Sequence, residues 1–138
     1  MTEMTGTASR TTVTTIGVAM FSVSDQDAAV AFYTGPLGWE LRSDTTFGED
    51  GGDRWIEVAP PGSSTRLALN PPMGGSPGGG AIGVETPDVL AEHARLTALG
   101  DLDLDPEPMR VPGAPTMFAL RDPDGNSIWV VDQEPAGR

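Results

Sequence analysis

The chain has 138 residues, and its 20 acidic against 8 basic residues give a formal net charge of −12, which is expected to repel nucleic acid and anionic membranes. The absence of cysteine excludes disulfides, thiolate metal sites and a cysteine nucleophile. No apolar run approaches the roughly 18 residues that span a membrane, and the N-terminus lacks the apolar core of a signal peptide, so a soluble cytoplasmic protein is expected.

The first half of the chain predicts one helix among four strands. Residues 1–12 are rich in threonine and aperiodic, which predicts a disordered tail. A strand is expected over residues 16–23 and a helix over residues 26–33. Three further strands are then expected, over residues 39–42, 54–59 and 66–69.

The second half predicts the same order of elements. Residues 71–80, PPMGGSPGGG, are too rich in glycine and proline for a helix or an interior strand and predict a linker. A strand over residues 81–85 and a helix over residues 87–98 follow. Three strands come next, over residues 102–105, 116–120 and 127–131. Residues 133–138 are expected to form a second tail.

Corresponding residues of the two halves lie at a nearly constant spacing. Val23 corresponds to Val84 at an offset of 61, and Leu37 to Leu99 at an offset of 62. A constant offset over such a distance predicts a tandem repeat of a βαβββ unit.

Both helices carry signals for their ends. Ser24 or Asp25 is expected to cap the first helix, and Thr86 the second, with Pro87 at the first helical position. Gly35 and Gly100 are expected to end them.

Three segments carry a family resemblance: VSDQDAAVAFYTGPLGW (23–39), DRWIEVAPPGS (53–63) and RDPDGN (121–126). Together they resemble the vicinal oxygen chelate superfamily, which includes glyoxalase I, bleomycin-resistance proteins, fosfomycin-resistance enzymes and extradiol dioxygenases. The resemblance covers roughly residues 13–132, nearly the whole folded chain.

The resemblance implies an α+β fold in which tandem βαβββ modules form a cupped mixed sheet with a central cavity. It implies one domain over residues 13–132, with modules at 13–70 and 81–132 joined by the linker at 71–80. It also implies a homodimer.

Enzymes of this superfamily hold a divalent metal through His or Glu side chains from four strands. The resemblance places those positions at Val18, within residues 66–70, at Ala81 and at Trp129, where the family pattern D-P-D-G-x-x-I-E has its glutamate. Hydrocarbon and indole side chains do not coordinate such ions, and RLALN has no His, Asp or Glu. No metal or other cofactor is therefore expected.

A cavity without metal ligands can still bind a small molecule. Strand alternation and the position of Trp129 predict a pocket of apolar and aromatic side chains with one or two carboxylates. Such a pocket suits a flat ligand, aromatic or cationic, held by stacking and a charge-assisted hydrogen bond. The expected ligand-binding residues are Met20, Arg54, Trp55, Glu57, Glu85, Phe118 and Trp129.

Three functions remain open. The leading hypothesis is a metal-free binding protein of the bleomycin-resistance type, which would sequester an aromatic or cationic natural product such as an antibiotic. The alternative is an enzyme, either a metal-dependent lyase, isomerase or dioxygenase, or a metal-free catalyst with Glu57 or Glu85 as general base. A third is an interaction module that uses the fold only to dimerise. The competing interpretations are that Trp129 fills core volume, that Glu57 and Glu85 are ordinary strand residues, and that the net charge serves only solubility.

Overall fold

The structure, a computed structural model, describes residues 9–133. Most of both expected tails therefore lies outside the described residues, and residues 9–12 are exposed and belong to no helix or strand. Within residues 9–133, no helix is long and apolar enough to cross a membrane.

The helices and strands follow the predicted order. The helices are α1 (Gln26–Thr34) and α2 (Val89–Leu99). The strands of the first half are β1 (Val18–Ser22), β2 (Glu40–Phe47), β3 (Asp53–Ala59) and β4 (Arg66–Asn70). Those of the second half are β5 (Ala81–Thr86), β6 (Asp103–Leu104), β7 (Met117–Arg121) and β8 (Ser127–Asp132).

The strands form two sheets of identical connectivity. Sheet 1 has the order β1-β4-β3-β2 and sheet 2 the order β5-β8-β7-β6. β1 pairs with β4 in parallel, and β5 pairs with β8 in parallel. The other neighbouring strands of each sheet pair antiparallel. The α+β fold of two βαβββ units is therefore confirmed.

Each sheet packs a helix against one face, which we call its helix face. Tyr33 of α1 packs with Ile56 and Leu67 of sheet 1, and Leu96 of α2 packs with Ile128 of sheet 2, within one hydrophobic cluster. Burying a large apolar side chain contributes roughly 1.5–3 kcal/mol, so this shared cluster holds the two halves together. The opposite faces, which we call the open faces, carry no helix formed by residues 9–133.

The end of the linker is anchored between the two halves. The Gly78 N–H donates to the Ser22 carbonyl oxygen at 3.0 Å, and the Gly80 N–H donates to Asn126 Oδ1 at 2.9 Å. A Cβ at Gly80 would lie 2.6 Å from the ring of Phe21, so only glycine fits there without a shift. The last residues of the segment predicted as a linker thus have fixed positions.

Strand β2 is longer than predicted, because it runs to Phe47 instead of ending at residue 42. The extension is mostly polar and lacks the apolar alternation that marks a half-buried strand. Pairing with β3 supplies what local sequence does not: Ser43 lies opposite Glu57, and Thr45 lies opposite Trp55.

The predicted cap of the second helix was wrong by two residues. Asp88, not Thr86, is the N-cap of α2, and its Oδ1 accepts a hydrogen bond from the Ala91 N–H at 3.0 Å. Thr86 Oγ1 instead accepts from the Asp88 N–H at 3.2 Å. Of the two candidates for α1, Asp25 is the N-cap, and its Oδ1 accepts from the Ala28 N–H at 3.0 Å.

We expect Asp88→Ala to lower the free energy of unfolding by about 1 kcal/mol, because it leaves an N-terminal N–H of α2 without its acceptor. Asp25→Ala should have a similar effect on α1. Chemical denaturation of each variant measures the loss, with Thr86→Ala as the matched control. A larger loss for Thr86→Ala than for Asp88→Ala would contradict the observed cap.

Candidate functional site

The open face of sheet 1 brings together three of the expected ligand-binding residues. Met20 on β1 and Glu57 on β3 both lie beside Ala68 on β4, between them, so the side chains of Met20 and Glu57 point to the same face. Trp55 is two residues before Glu57 on β3 and points the same way. Met20 is 61% exposed, so none of residues 9–133 covers this part of the face.

Glu57 is held by two neighbours on this face. Its Oε2 accepts a hydrogen bond from the Trp55 indole N–H at 2.8 Å, and its Oε1 accepts from Arg66 Nε at 2.7 Å. The side chain of Glu57 is only 12% exposed, whereas that of Arg66 is 39% exposed. The carboxylate expected to meet a cationic ligand, or to act as a base, is therefore already engaged in an ion pair.

Sheet 2 places Trp129 on its open face, but Phe118 on the other. Trp129 lies opposite Ala119 on β7 and Gly83 on β5, and it is half-buried. Phe118 pairs with Val130, is fully buried, and contacts the ring of His93 edge-on at 4.9 Å between centroids. The placement of Phe118 in the pocket was wrong, because the register of β7 against β8 turns it into the core.

Arg54 also lies away from the expected pocket. It precedes Trp55 on β3 and therefore points to the helix face, near the start of α1. Its guanidinium donates to Asp27 at 2.9 Å and to Asp44 at 2.9 and 3.3 Å, and these hydrogen bonds raise the pKa of Arg54. All three of its nitrogens are occupied, so the predicted ligand contact was misplaced.

The positions that hold a metal in related enzymes do not fit one here. Val18, Ala81 and Trp129 all lie on open faces but offer no donor atom. On β4, the residues that share this face with Val18 are Arg66, Ala68 and Asn70. Residues 9–133 contain no group of three or more His, Cys, Asp or Glu side chains that could hold an ion.

A cleft with a volume of about 860 Å³ lies between the two sheets. Ala19 and Leu67 line it from sheet 1, and Ile82 and Val84 line it from sheet 2. Trp39 forms part of the wall and packs against Tyr33 at 5.3 Å between ring centroids. The cleft is thus mainly apolar, with one large aromatic surface.

Two charged side chains line this cleft from opposite sheets. Arg66 comes from β4 and Glu85 from β5. No ion pair joins them, and among residues 9–133 the carboxylate of Glu85 has no partner. The cleft therefore combines an apolar interior with one guanidinium and one carboxylate.

The predicted pocket and the observed cleft overlap only partly. Of the expected ligand-binding residues, Glu85 alone lines the cleft; the others lie on the open faces, in the core or beside α1. Sequence reasoning missed Trp39, Arg66 and Ile82. Strand alternation gave no signal for Ile82, because the cleft is lined by four successive residues of β5, 82–85.

The comparisons with known proteins agree with this architecture. A family model described as the Glyoxalase/Bleomycin resistance protein/Dioxygenase superfamily matches residues 15–130. The chain belongs to this superfamily. The family resemblance noted in three sequence segments is thereby confirmed.

Three solved structures are similar to this chain in both fold and sequence. A member of the same superfamily from Sphaerobacter thermophilus is 31% identical with a TM-score of 0.78, and the match covers 88% of this chain and 98% of that one. TnmS3, an antibiotic binding protein from Streptomyces sp. CB03234, is 31% identical with a TM-score of 0.78, over 91% and 100% of the chains. A glyoxalase/bleomycin resistance protein from the same Streptomyces is 34% identical with a TM-score of 0.71, over 85% and 99%.

Proposed function

We propose that this protein binds and sequesters a small aromatic natural product in the cleft between its sheets, without a metal ion. The observation that carries the proposal is the cleft of about 860 Å³ with its apolar walls and Trp39. Ligand pockets typically have volumes of roughly 300–1,000 Å³ and combine apolar walls with a few polar groups that set orientation. Arg66 and Glu85 are such groups.

The residue types at the family's metal positions and the similarity to TnmS3 support binding over metal chemistry. The side chains at the family's metal positions include no His, Asp or Glu, so the usual ligands of the superfamily's metal-assisted reactions are missing there. TnmS3, which is 31% identical over its whole length, is an antibiotic binding protein. By similarity, an antibiotic-like aromatic compound is the ligand class that we propose here.

The enzymatic alternative has no specific support among residues 9–133. Glu57 is engaged by Trp55 and Arg66, and it does not line the cleft. Glu85 is exposed, and no described residue hydrogen-bonds its carboxylate. Binding without catalysis is therefore the function that the geometry favours.

The homodimer expected from the resemblance stays a prediction. The open faces expose Met20 on sheet 1 and Ala81 and Gly83 on sheet 2, where a second copy would remove apolar surface from water. Trp55 and Trp129 also lie on these open faces. Their expected contacts with a ligand likewise stay predictions.

The three tryptophans allow the binding site to be located, because only Trp39 lines the cleft. We expect a panel of flat polycyclic natural products to include compounds that change the fluorescence of a Trp55→Phe/Trp129→Phe variant. The change should vanish in Trp39→Phe, which keeps a ring against Tyr33. Calorimetry should show roughly 3- to 10-fold weaker binding to Trp39→Leu, because an aromatic contact is lost.

Two outcomes would contradict this function. If no compound binds the wild-type protein, sequestration is wrong. If compounds bind but the signal persists in Trp39→Phe and disappears in Trp55→Phe/Trp129→Phe, the ligand occupies an open face and the cleft is the wrong site.

A further inference from the structure

Arg66 differs from the other arginines of the helices and strands in having a free terminal nitrogen. Its Nη1 lies 3.4 Å from the Ser64 carbonyl oxygen, a long contact, and no described residue bonds its Nη2. In four other arginines both terminal nitrogens donate to protein oxygens: Arg42, Arg54, Arg95 and Arg121. Arg66 is also among the residues that line the cleft, and its side chain is 39% exposed.

Glu57 holds this guanidinium in place and cancels its charge. The carboxylate binds Arg66 at Nε, and it is itself held by the indole N–H of Trp55. A donor held in this way loses little conformational entropy when a ligand binds. The pair has no net charge, so what remains is a directional hydrogen-bond donor.

We propose that Arg66 recognises a neutral carbonyl oxygen on the aromatic ligand, and that Glu57 is the positioning residue that makes the cleft prefer this oxygen over a charged group. This inference rests on the proposed function and specifies its ligand class. An anionic ligand gains little from a guanidinium already paired with Glu57. It also meets Glu85 and the net charge of −12.

A cationic ligand is disfavoured at the same point of the cleft. The Arg66 guanidinium has no hydrogen-bond acceptor for an ammonium group, and its positive charge repels that group. Glu85 is the only unpaired carboxylate that lines the described cleft, and its exposed position leaves it solvated. A cation would therefore be attracted mainly by long-range charge, which salt screens.

Four probes of one shape test the proposal by calorimetry on the intact protein: naphthalene, naphthamide, naphthoate and naphthylmethylammonium. We expect naphthamide to bind about 10-fold more tightly than naphthalene, the gain from one hydrogen bond to a charged donor. Naphthoate should bind no more tightly than naphthamide. Any affinity for naphthylmethylammonium should fall as salt is added.

Two variants separate the roles of the donor and its positioning residue. Arg66→Lys keeps an ion pair with Glu57 but loses the forked donor, so the gain of naphthamide over naphthalene should disappear. Glu57→Gln leaves the guanidinium unpaired, so naphthoate should tighten relative to naphthamide by about 10-fold and become sensitive to salt. The matched control is Arg121→Lys, which should change neither ratio. Arg121 is paired with Asp103 and Asp105 and lies outside the cleft.

The outcomes distinguish this inference from the function on which it rests. If naphthalene binds and naphthamide gains nothing, or if the gain survives Arg66→Lys, the inference is wrong while binding in the cleft stands. The same holds if naphthoate is the tightest ligand of the wild-type protein. If none of the four compounds binds while a compound of the polycyclic panel does, the inference is wrong and the proposed function stands; if the panel also fails, both are overturned. Circular dichroism and thermal unfolding verify that each variant is folded.

Discussion

Replacing Asn126 with alanine is expected to lower the free energy of unfolding by about 3 kcal/mol, a large share of the roughly 5–15 kcal/mol of a typical domain. Asn126 is fully buried, and its Nδ2 donates to the Ser22 carbonyl oxygen and to Asp122 Oδ2, each at 3.0 Å. Its Oδ1 accepts from the Gly80 N–H at 2.9 Å. The substitution removes three hydrogen bonds and leaves the Gly80 N–H without its acceptor, while the Ser22 carbonyl and Asp122 Oδ2 each keep one other donor.

The effect should be large because Asn126 connects parts of the chain that are distant in sequence. Ser22 ends β1 of sheet 1, Gly80 ends the linker, and Asp122 lies in the turn between β7 and β8 of sheet 2. The halves otherwise meet through the apolar cluster and a few polar contacts, so this amide joins them with directional bonds. We expect the variant to remain folded but to unfold at lower denaturant concentration.

Two further variants make the measurement specific. Asn70→Ala removes the same side chain where it makes no hydrogen bond to a described residue, and it should change stability by about 0.5 kcal/mol or less. Asn126→Asp places a second carboxylate beside Asp122 and should destabilise more than alanine at neutral pH, with partial recovery in acid. If Asn126→Ala behaves like Asn70→Ala, the network does not join the halves.

Above about pH 10, the free energy of unfolding is expected to fall by about 1.4 kcal/mol per pH unit because of Tyr33. Tyr33 is fully buried, and its hydroxyl donates to Asp122 Oδ2 at 3.0 Å. Burial raises the pKa of Tyr33, and the neighbouring Asp122 and Asp124 carboxylates raise it further. The unfolded chain releases this proton near the ordinary tyrosine pKa while the native state keeps it, so stability is lost as pH rises.

The composition assigns this pH dependence to one residue. The chain has a single tyrosine and neither cysteine nor lysine, and arginine side chains lose their protons only above about pH 12. Tyr33→Phe should therefore abolish the decline above about pH 10, although it costs about 1 kcal/mol at neutral pH through the lost hydrogen bond. Denaturant unfolding at a series of alkaline pH values measures the slope. Tyrosinate absorbance appearing in the native protein near pH 10 would contradict the prediction.

Much of the fold follows from local sequence. The segment RDPDGNSIWVV predicts a turn and then a strand because proline, glycine and aspartate favour the turn and β-branched residues favour the strand, and β8 begins at Ser127 as expected. The cap of α1 at Asp25 and the glycine after each helix were readable for the same reason. The constant spacing of the repeat then predicted two units of the same topology.

The candidate site was less accessible from sequence because it depends on register. Alternation tells which residues of one strand share a face, but not which face turns towards the helix or how neighbouring strands align. Trp129 lies opposite Ala119 rather than Phe118, so Phe118 faces the core. Arg54 and Trp55 are adjacent in sequence and therefore lie on opposite faces of sheet 1.

The sequence by itself determined the repeat, the order of the strands and helices, and the absence of donor side chains at the family's metal positions, because each depends on residue identity and short-range spacing. Only the tertiary structure decided where the cleft lies and which residues line it. Trp39, Arg66 and Glu85 come from three separate segments, and no local pattern relates them. Packing of both helix faces into one hydrophobic cluster brings them to the same cleft, since burial rewards contact between apolar surfaces regardless of their separation along the chain.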